Sequence, residues 1–260
     1  MWESGRAMLH IAAEGPVVIA TLDAPPANAI GMQELHDLGD LVERLTRESA
    51  DTRVLVLRGE GRFFCGGVNI GMISETVGSD AGSEQVAAFG GELQRVFLML
   101  ESLPIPTIAA MKGSAVGGGL ELALACDFRI VGADSSYGLP ESKLGLIPGA
   151  GGTQRLTEVS GRGTSLRLIL LGELVKGEEA VRLGIAQWVR ANDEVNDSAM
   201  ELARRLTELA PNALSAAKQC VTAARGESGF DLEIALTKDL LSQTDTTDRI
   251  KAFLAGSRQK

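Results

Sequence analysis

The chain is poor in the residues from which many active sites are built. It has two histidines, His10 and His36, one tyrosine and three cysteines in 260 residues. A histidine-built metal site or catalytic triad is therefore nearly excluded. Cys65, Cys126 and Cys220 are odd in number and far apart, so neither a disulfide framework nor paired metal-ligand spacing follows from them. Basic charge is also short: 25 Lys and Arg stand against 34 Asp and Glu, a net charge of −9. No basic stripe is present, which argues against nucleic acid as a partner. No apolar run approaches the roughly 18 residues needed to span a bilayer, and Met1 to His10 has no charged-then-apolar leader. A soluble protein in a reducing cytoplasm, with no membrane association, is the expectation.

What the chain does have is glycine: 31 residues, clustered in short patches rather than in a repeat. Hydrophobic residues make up 45%, enough for one substantial core with a helical appendage. Met8 to Asp23 reads as two strands joined at the turn signal Glu14-Gly15-Pro16. Met32, Leu35, Leu38, Leu41, Val42 and Leu45 recur at helical spacing. Strands are expected at Arg53 to Leu57, Thr107 to Met111 and Phe128 to Val131, alternating with helices, the α/β pattern. Gly71 to Gly90, rich in Gly, Ser and acidic residues, is expected to be a mobile loop, with a helix from about Gln85 or Leu93 to Leu103 that stops at Pro104. Beyond Ser160 helical patterns dominate: Leu166 to Leu171, Glu178 to Leu183, Ser198 to Leu209, Ala213 to Ala224 and Leu232 to Leu241. The short apolar stretch Ala186 to Val189 interrupts them. The expected organisation is an α/β core over residues 1–195 and a helical region over residues 196–260.

Three glycine-rich patches each follow an expected strand: Phe63 to Ile70, Gly113 to Glu121, and Pro140-Glu141 leading into Ile147 to Leu156. Common nucleotide motifs do not fit them. Gly149-Ala150-Gly151 needs a further glycine where Gln154 stands, and Gly172 to Gly177 has P-loop spacing with Glu178 in place of lysine. There is no Gly-x-Ser-x-Gly nucleophile elbow.

In order and spacing, the three patches resemble the enoyl-CoA hydratase/isomerase (crotonase) family. The resemblance starts at Asp23-Ala24-Pro25-Pro26-Ala27-Asn28-Ala29-Ile30 and runs to Asp248 to Leu254; Ile147 to Leu156 is its most specific stretch. It implies an α/β fold, the crotonase (ClpP-like) spiral of repeated ββα units, with a C-terminal helical region for oligomer contacts. It also implies an acyl-CoA thioester substrate and a homotrimer or homohexamer. No metal and no separate cofactor are implied, because coenzyme A is part of the substrate and the thioester is the electron sink.

Carried over position by position, the amides of Val68 and Gly118 would form an oxyanion hole, and Glu121 and Glu141 would flank the water that adds to a 2-enoyl-CoA. Val68 stands where the family usually has alanine, and its bulk would narrow the pocket. Ala27, Gly66, Asn69 and Ile70 match positions lining the CoA moiety, with Asn69 replacing a common Asp. Gly149 resembles a glycine that helps position the water. Lys251, Arg258 and Lys260 could meet CoA phosphates, and Cys65 reads as a small filler. Glu121 lies among Leu120, Leu122, Ala123, Leu124 and Ala125, a setting unfriendly to an idle carboxylate. Family members with other chemistry usually lack one of the two glutamates, so the pair favours hydration. Double-bond isomerisation, cleavage of an aryl-enoyl-CoA and a weakly active CoA-binding protein stay open at this level. Fold alone does not fix function.

Overall fold

The computed structural model describes residues 9–47, 51–69, 71, 80–223 and 229–257. Strands β1 (Leu9–Glu14) and β2 (Val17–Leu22) form the expected antiparallel hairpin, turning at Gly15 with φ 58°. From β2 onward the chain repeats one excursion. A strand enters a large sheet, a short strand at an angle enters a small one, and a helix returns. The excursions are β3 (Val54–Gly59), β4 (Phe63–Cys65) and α2 (Asp80–Glu101), then β5 (Thr107–Met111), β6 (Ser114–Val116) and α3 (Gly118–Leu124). The third runs through β7 (Phe128–Gly132) and β8 (Ser136–Gly138) to a 3-10 turn, Glu141–Leu144, and α4 (Gly152–Leu171). Helix α1 (Met32–Arg47) fills the gap between β2 and β3.

The large sheet has the order β1-β2-β3-β5-β7-β10, parallel from β2 on, where β10 is Trp188–Arg190. The small sheet is β4-β6-β8-β9, with β9 (Val175–Lys176) antiparallel to β8. Strand β3 shows why the middle strands read as continuous apolar runs. Leu55 and Leu57 enter the core shared with the small sheet, α1 and α2, while Val54 and Val56 enter a second core on the other face. That second face is covered by Val195, Ala199, Met200, Ala203 and Leu206 of α6 (Val195–Thr207), which follows α5 (Gly177–Arg182). Beyond lie α7 (Pro211–Ala223), α8 (Gly229–Leu241) and α9 (Thr244–Ser257). No helix among the described residues is long and apolar enough to cross a membrane.

Two expectations need correction. The stretch expected as a loop from Gly71 to Gly90 is helical from Asp80 onward; residues 72–79 lie outside the described ones. The buried Leu93, Val96, Phe97 and Leu100 anchor α2, and Phe89, packed against the same core, carries the helix back across Gly90 and Gly91. Likewise, helix α4 starts at Gly152, well before Leu166, with a break at Gly161 where φ is 77°. Its glycine-rich start masked it in the sequence.

Candidate active site

The three parallel strands of the small sheet end side by side, and each end carries one glycine-rich patch. After β4 comes Gly66-Gly67-Val68, after β6 Gly117-Gly118, and after β8 Leu139-Pro140-Glu141. The Gly117 amide donates to the Gly138 carbonyl at 2.9 Å, stitching the second end to the third. Carboxyl ends of parallel strands are where ligands bind in α/β sheets.

A fourth segment joins from the N-terminal side. Ile30 and Val68 form a parallel bridge, using the Gly67 carbonyl (2.8 Å) and the Asn69 amide (2.9 Å). In such a bridge Val68's own amide points away from Ile30. Gly118 stands close by on the Val68 backbone: a Cβ built on Gly118 would sit 3.3 Å from the Val68 nitrogen and 3.1 Å from its Cγ2. Neither amide is taken up by a hydrogen bond among the described residues, and Gly118, as the first residue of α3, has no acceptor inside its own helix. Val68 and Gly118 thus present two backbone donors side by side.

Both glutamates border the same place. Glu121 lies one turn into α3, its amide bonded to the Gly117 carbonyl at 3.0 Å, and its side chain is buried, at 2% exposure. Its Oε1 accepts the amides of Ala150 and Gly152, each at 2.8 Å. Gly152 must be glycine here, since a Cβ would come within 2.8 Å of Oε1. Burial pushes the Glu121 carboxyl above the usual range, while the Gly152 and Ala150 amides and the Arg155 charge pull it back. Glu141 Oε1 lies 3.0 Å from the Cβ position of Gly117, and its Oε2 is buried without a hydrogen-bond partner. Burial, with the nearby charge of Glu121 adding to it, pushes the Glu141 carboxyl up from 4.5 to about 7. The arrangement is one ionisable carboxyl braced by amides and another poised near neutrality, beside two unpaired backbone donors. Such a site can hold a developing oxyanion and move protons next to it.

The other expected residues fall around this centre. Gly66 donates its amide to the Ala27 carbonyl at 2.7 Å, with the Ala27 methyl 3.0 Å from where its Cβ would be. Asn69 is exposed, and its Oδ1 accepts the Gly71 amide at 3.0 Å. Gly149 is exposed and precedes Ala150, its carbonyl accepting from Gln94 at 2.6 Å. Ile70, Arg258 and Lys260 lie outside the described residues, and Lys251 pairs with Asp248 at 3.9 Å. Burial pushes the Cys65 thiol up to about 12, which suits a filler and not a nucleophile.

Sequence reasoning missed Asn28. Buried with φ 53°, it donates to the carbonyls of Glu60 (2.9 Å), Phe63 (2.9 Å) and Phe64 (3.3 Å), and accepts the Ala24 amide at 2.9 Å. It thereby ties the Ala27 loop to β4. Its only sequence signal was its place inside the Asp23 to Ile30 motif. A separate recess of about 430 Å³ at the strand corners gathers Arg62, Lys112 and Lys176 but neither glutamate.

A spiral of this kind, with glycine-rich strand ends around two acids, is the class of the crotonase fold. The profile of the enoyl-CoA hydratase/isomerase family matches residues 12–258, and the chain belongs to that family, whose members act on acyl-CoA thioesters. It is 36% identical over 251 residues to a probable enoyl-CoA hydratase of Bacillus subtilis (strain 168), covering 95% of each chain. It is 40% identical over 244 residues to the enoyl-CoA isomerase/hydratase fer4 of Mycosarcoma maydis, covering 89% of this chain and 87% of the relative. The crystal structure of an enoyl-CoA hydratase from Bacillus anthracis superposes with a TM-score of 0.89 at 32% identity, over 96% of both chains. The expected fold is therefore the one observed.

Proposed function

We propose that the protein hydrates a 2-enoyl-CoA to a 3-hydroxyacyl-CoA by syn addition of water. The observation that carries this reading is the pair of buried carboxyls beside the Val68 and Gly118 amides, one of them with an unpartnered oxygen. In this reading the thioester carbonyl sits against the two amides. Water, oriented and deprotonated by Glu121, adds its oxygen to C3 of the enoyl group. The electron pair of the double bond moves into an enolate whose oxygen the two amides hold, and C2 takes a proton from Glu141.

The two carboxyls suit these duties differently. Burial raises the Glu121 carboxyl, but two amides and the Arg155 charge oppose that and brace it, so we assign it as the base; Glu141, at about 7, is protonated often enough to be the acid. Because they interact, they titrate as a pair. One oxyanion donor contributes about 3–4 kcal/mol to lowering the barrier, and positioned proton transfer about 10²–10⁴-fold. The thioester itself absorbs the electron pair, so the reaction as drawn uses no metal or redox group. Ala27, Gly66, Asn69, Ile70 and Gly149 complete the proposed CoA and water contacts.

We also read residues 1–195 as the catalytic core and 196–260 as a region for contacts in a trimer or hexamer. Val221, Phe230, Ile234 and Leu241, all exposed on α7 and α8, support a covered surface there. The deciding experiment follows loss of the conjugated enoyl-thioester absorbance over a panel of 2-enoyl-CoA chain lengths. Glu121→Gln and Glu141→Gln are each expected to lose about 10²-fold or more in kcat. Movement of the double bond without water uptake would instead make the protein an isomerase. Wild-type rates in both variants would refute the roles given to the acids.

A further inference from the structure

The turn that braces Glu121 is itself held from outside the site, peptide by peptide. The peptide joining Gly149 and Ala150 gives its N–H to Glu121 and its carbonyl to Gln94 of α2 (2.6 Å). The peptide joining Gly151 and Gly152 gives its N–H to Glu121, while its carbonyl accepts the amides of Gln154 (3.2 Å) and Arg155 (3.0 Å) in the first turn of α4. The peptide between them, Ala150–Gly151, is held by the guanidinium of Arg155, whose Nη1 donates to the Ala150 carbonyl at 3.0 Å. The remaining donors of Arg155, Nε and Nη2, reach Glu101 Oε2 at 3.1 and 2.9 Å. Glu101 is the last residue of α2, and the pair is nearly buried, at 7% and 13% side-chain exposure. Gly151, with φ 99°, lets the turn wrap against this guanidinium, because any Cβ there would collide with Nη1.

Resting on the hydratase reading above, we propose that Arg155, clamped by Glu101, is a positioning residue for Glu121. It locks the peptide between the two amides that bind Oε1, and so fixes which oxygen of Glu121 is committed to the turn and which one meets the water. Both amide bonds fall on Oε1, and Oε2 makes no hydrogen bond among the described residues. A turn free to rotate would let the carboxylate swing, and displacement of a catalytic group by about 1 Å can cost about 10²-fold. The choice of arginine follows: only a planar fork reaches a carbonyl on one side and a carboxylate on the other from a single buried position. The charged groups facing Glu121 are Arg155 from α4 and Glu141 from the 3-10 turn, with Glu101 of α2 behind Arg155.

The test compares Arg155→Lys and Arg155→Met with wild type on a 2-enoyl-CoA. Arg155→Lys keeps the charge and loses the fork; kcat is expected to fall about 10-fold, with KM within about 2-fold and the pH profile in place. Arg155→Met is expected to lose about 100-fold in kcat, and its profile moves to higher pH because the cation facing the Glu121 carboxyl is gone. Difference infrared titration of wild type against Glu121→Gln, repeated in the Arg155→Met background, reads the Glu121 carboxyl whether or not turnover occurs. It too should move to higher pH. Wild-type kcat in Arg155→Lys overturns the proposal, as does a loss that only tracks the unfolded fraction with neither titration displaced. A wild-type protein inactive on every enoyl-CoA would instead sink the hydratase reading, and the infrared titration would still decide the role of Arg155.

Discussion

Glu141→Gln offers a measurement that needs no substrate. In the folded protein burial and the neighbouring Glu121 hold the Glu141 carboxyl at about 7, against 4.5 ordinarily. A carboxyl with a raised folded value favours folding fully below about pH 4.5, and that contribution fades as pH climbs through the folded value. One unit corresponds to about 1.4 kcal/mol, so the full swing would be about 3 kcal/mol. Glu141 is only half-buried, and screening by solvent at such a position reduces this to about 1 to 2 kcal/mol. Glutamine cannot ionise and escapes the loss. Urea unfolding of both proteins, at one protein concentration, near pH 4 and near pH 8, gives four free energies. The variant's stability relative to wild type should improve by about 1 to 2 kcal/mol between the lower and the higher pH, while its activity is largely gone. An unchanged gap at the two pH values would mean that the carboxyl is not held protonated, and the assignment of Glu141 as proton donor would go with it.

Gly118→Ala should fold, since alanine suits the first turn of a helix. Its methyl would press on Val68 Cγ2 at 3.1 Å and displace the pair of amides, lowering kcat/KM by about 10²-fold or more, and adding Val68→Ala should recover part of the rate. If the C-terminal helices carry subunit contacts, sedimentation of the wild-type chain should give a trimer or a multiple of it. Replacing Phe230 and Ile234 with Glu should then release smaller species, and a monomeric wild type would refute that assignment.

The parts of the fold that were legible in the sequence are those where local pattern and environment agree. Val54 to Leu57 and Thr107 to Met111 read as strands because they are buried on both faces, and Leu35 to Leu45 as a helix because one face is. The start of α2 before Gln85 was hidden because residues 80–85 are short, polar or glycine, and the strongest periodicity lies in the anchored second half. The start of α4 was hidden by glycines chosen for clearance around the Glu121 carboxylate and not for helix propensity. At the site, Glu121, Glu141, Val68 and Gly118 were found through their resemblance to a family, and the structure brings all four to one place. Their supports were not found. Arg155, Glu101, Gln94 and Asn28 act through partners from 4 to 55 residues away, and spacing along the chain holds no trace of such pairings.

The two amides offered by residues 68 and 118 lie just past the ends of β4 and β6, so the pairing of those strands carries the two backbone segments to the same place. Main-chain pairing thus brings the two donors together. Evolution can therefore exchange the side chain at position 68, or reshape the walls beyond it, while the backbone frame that carries the two amides stays the same.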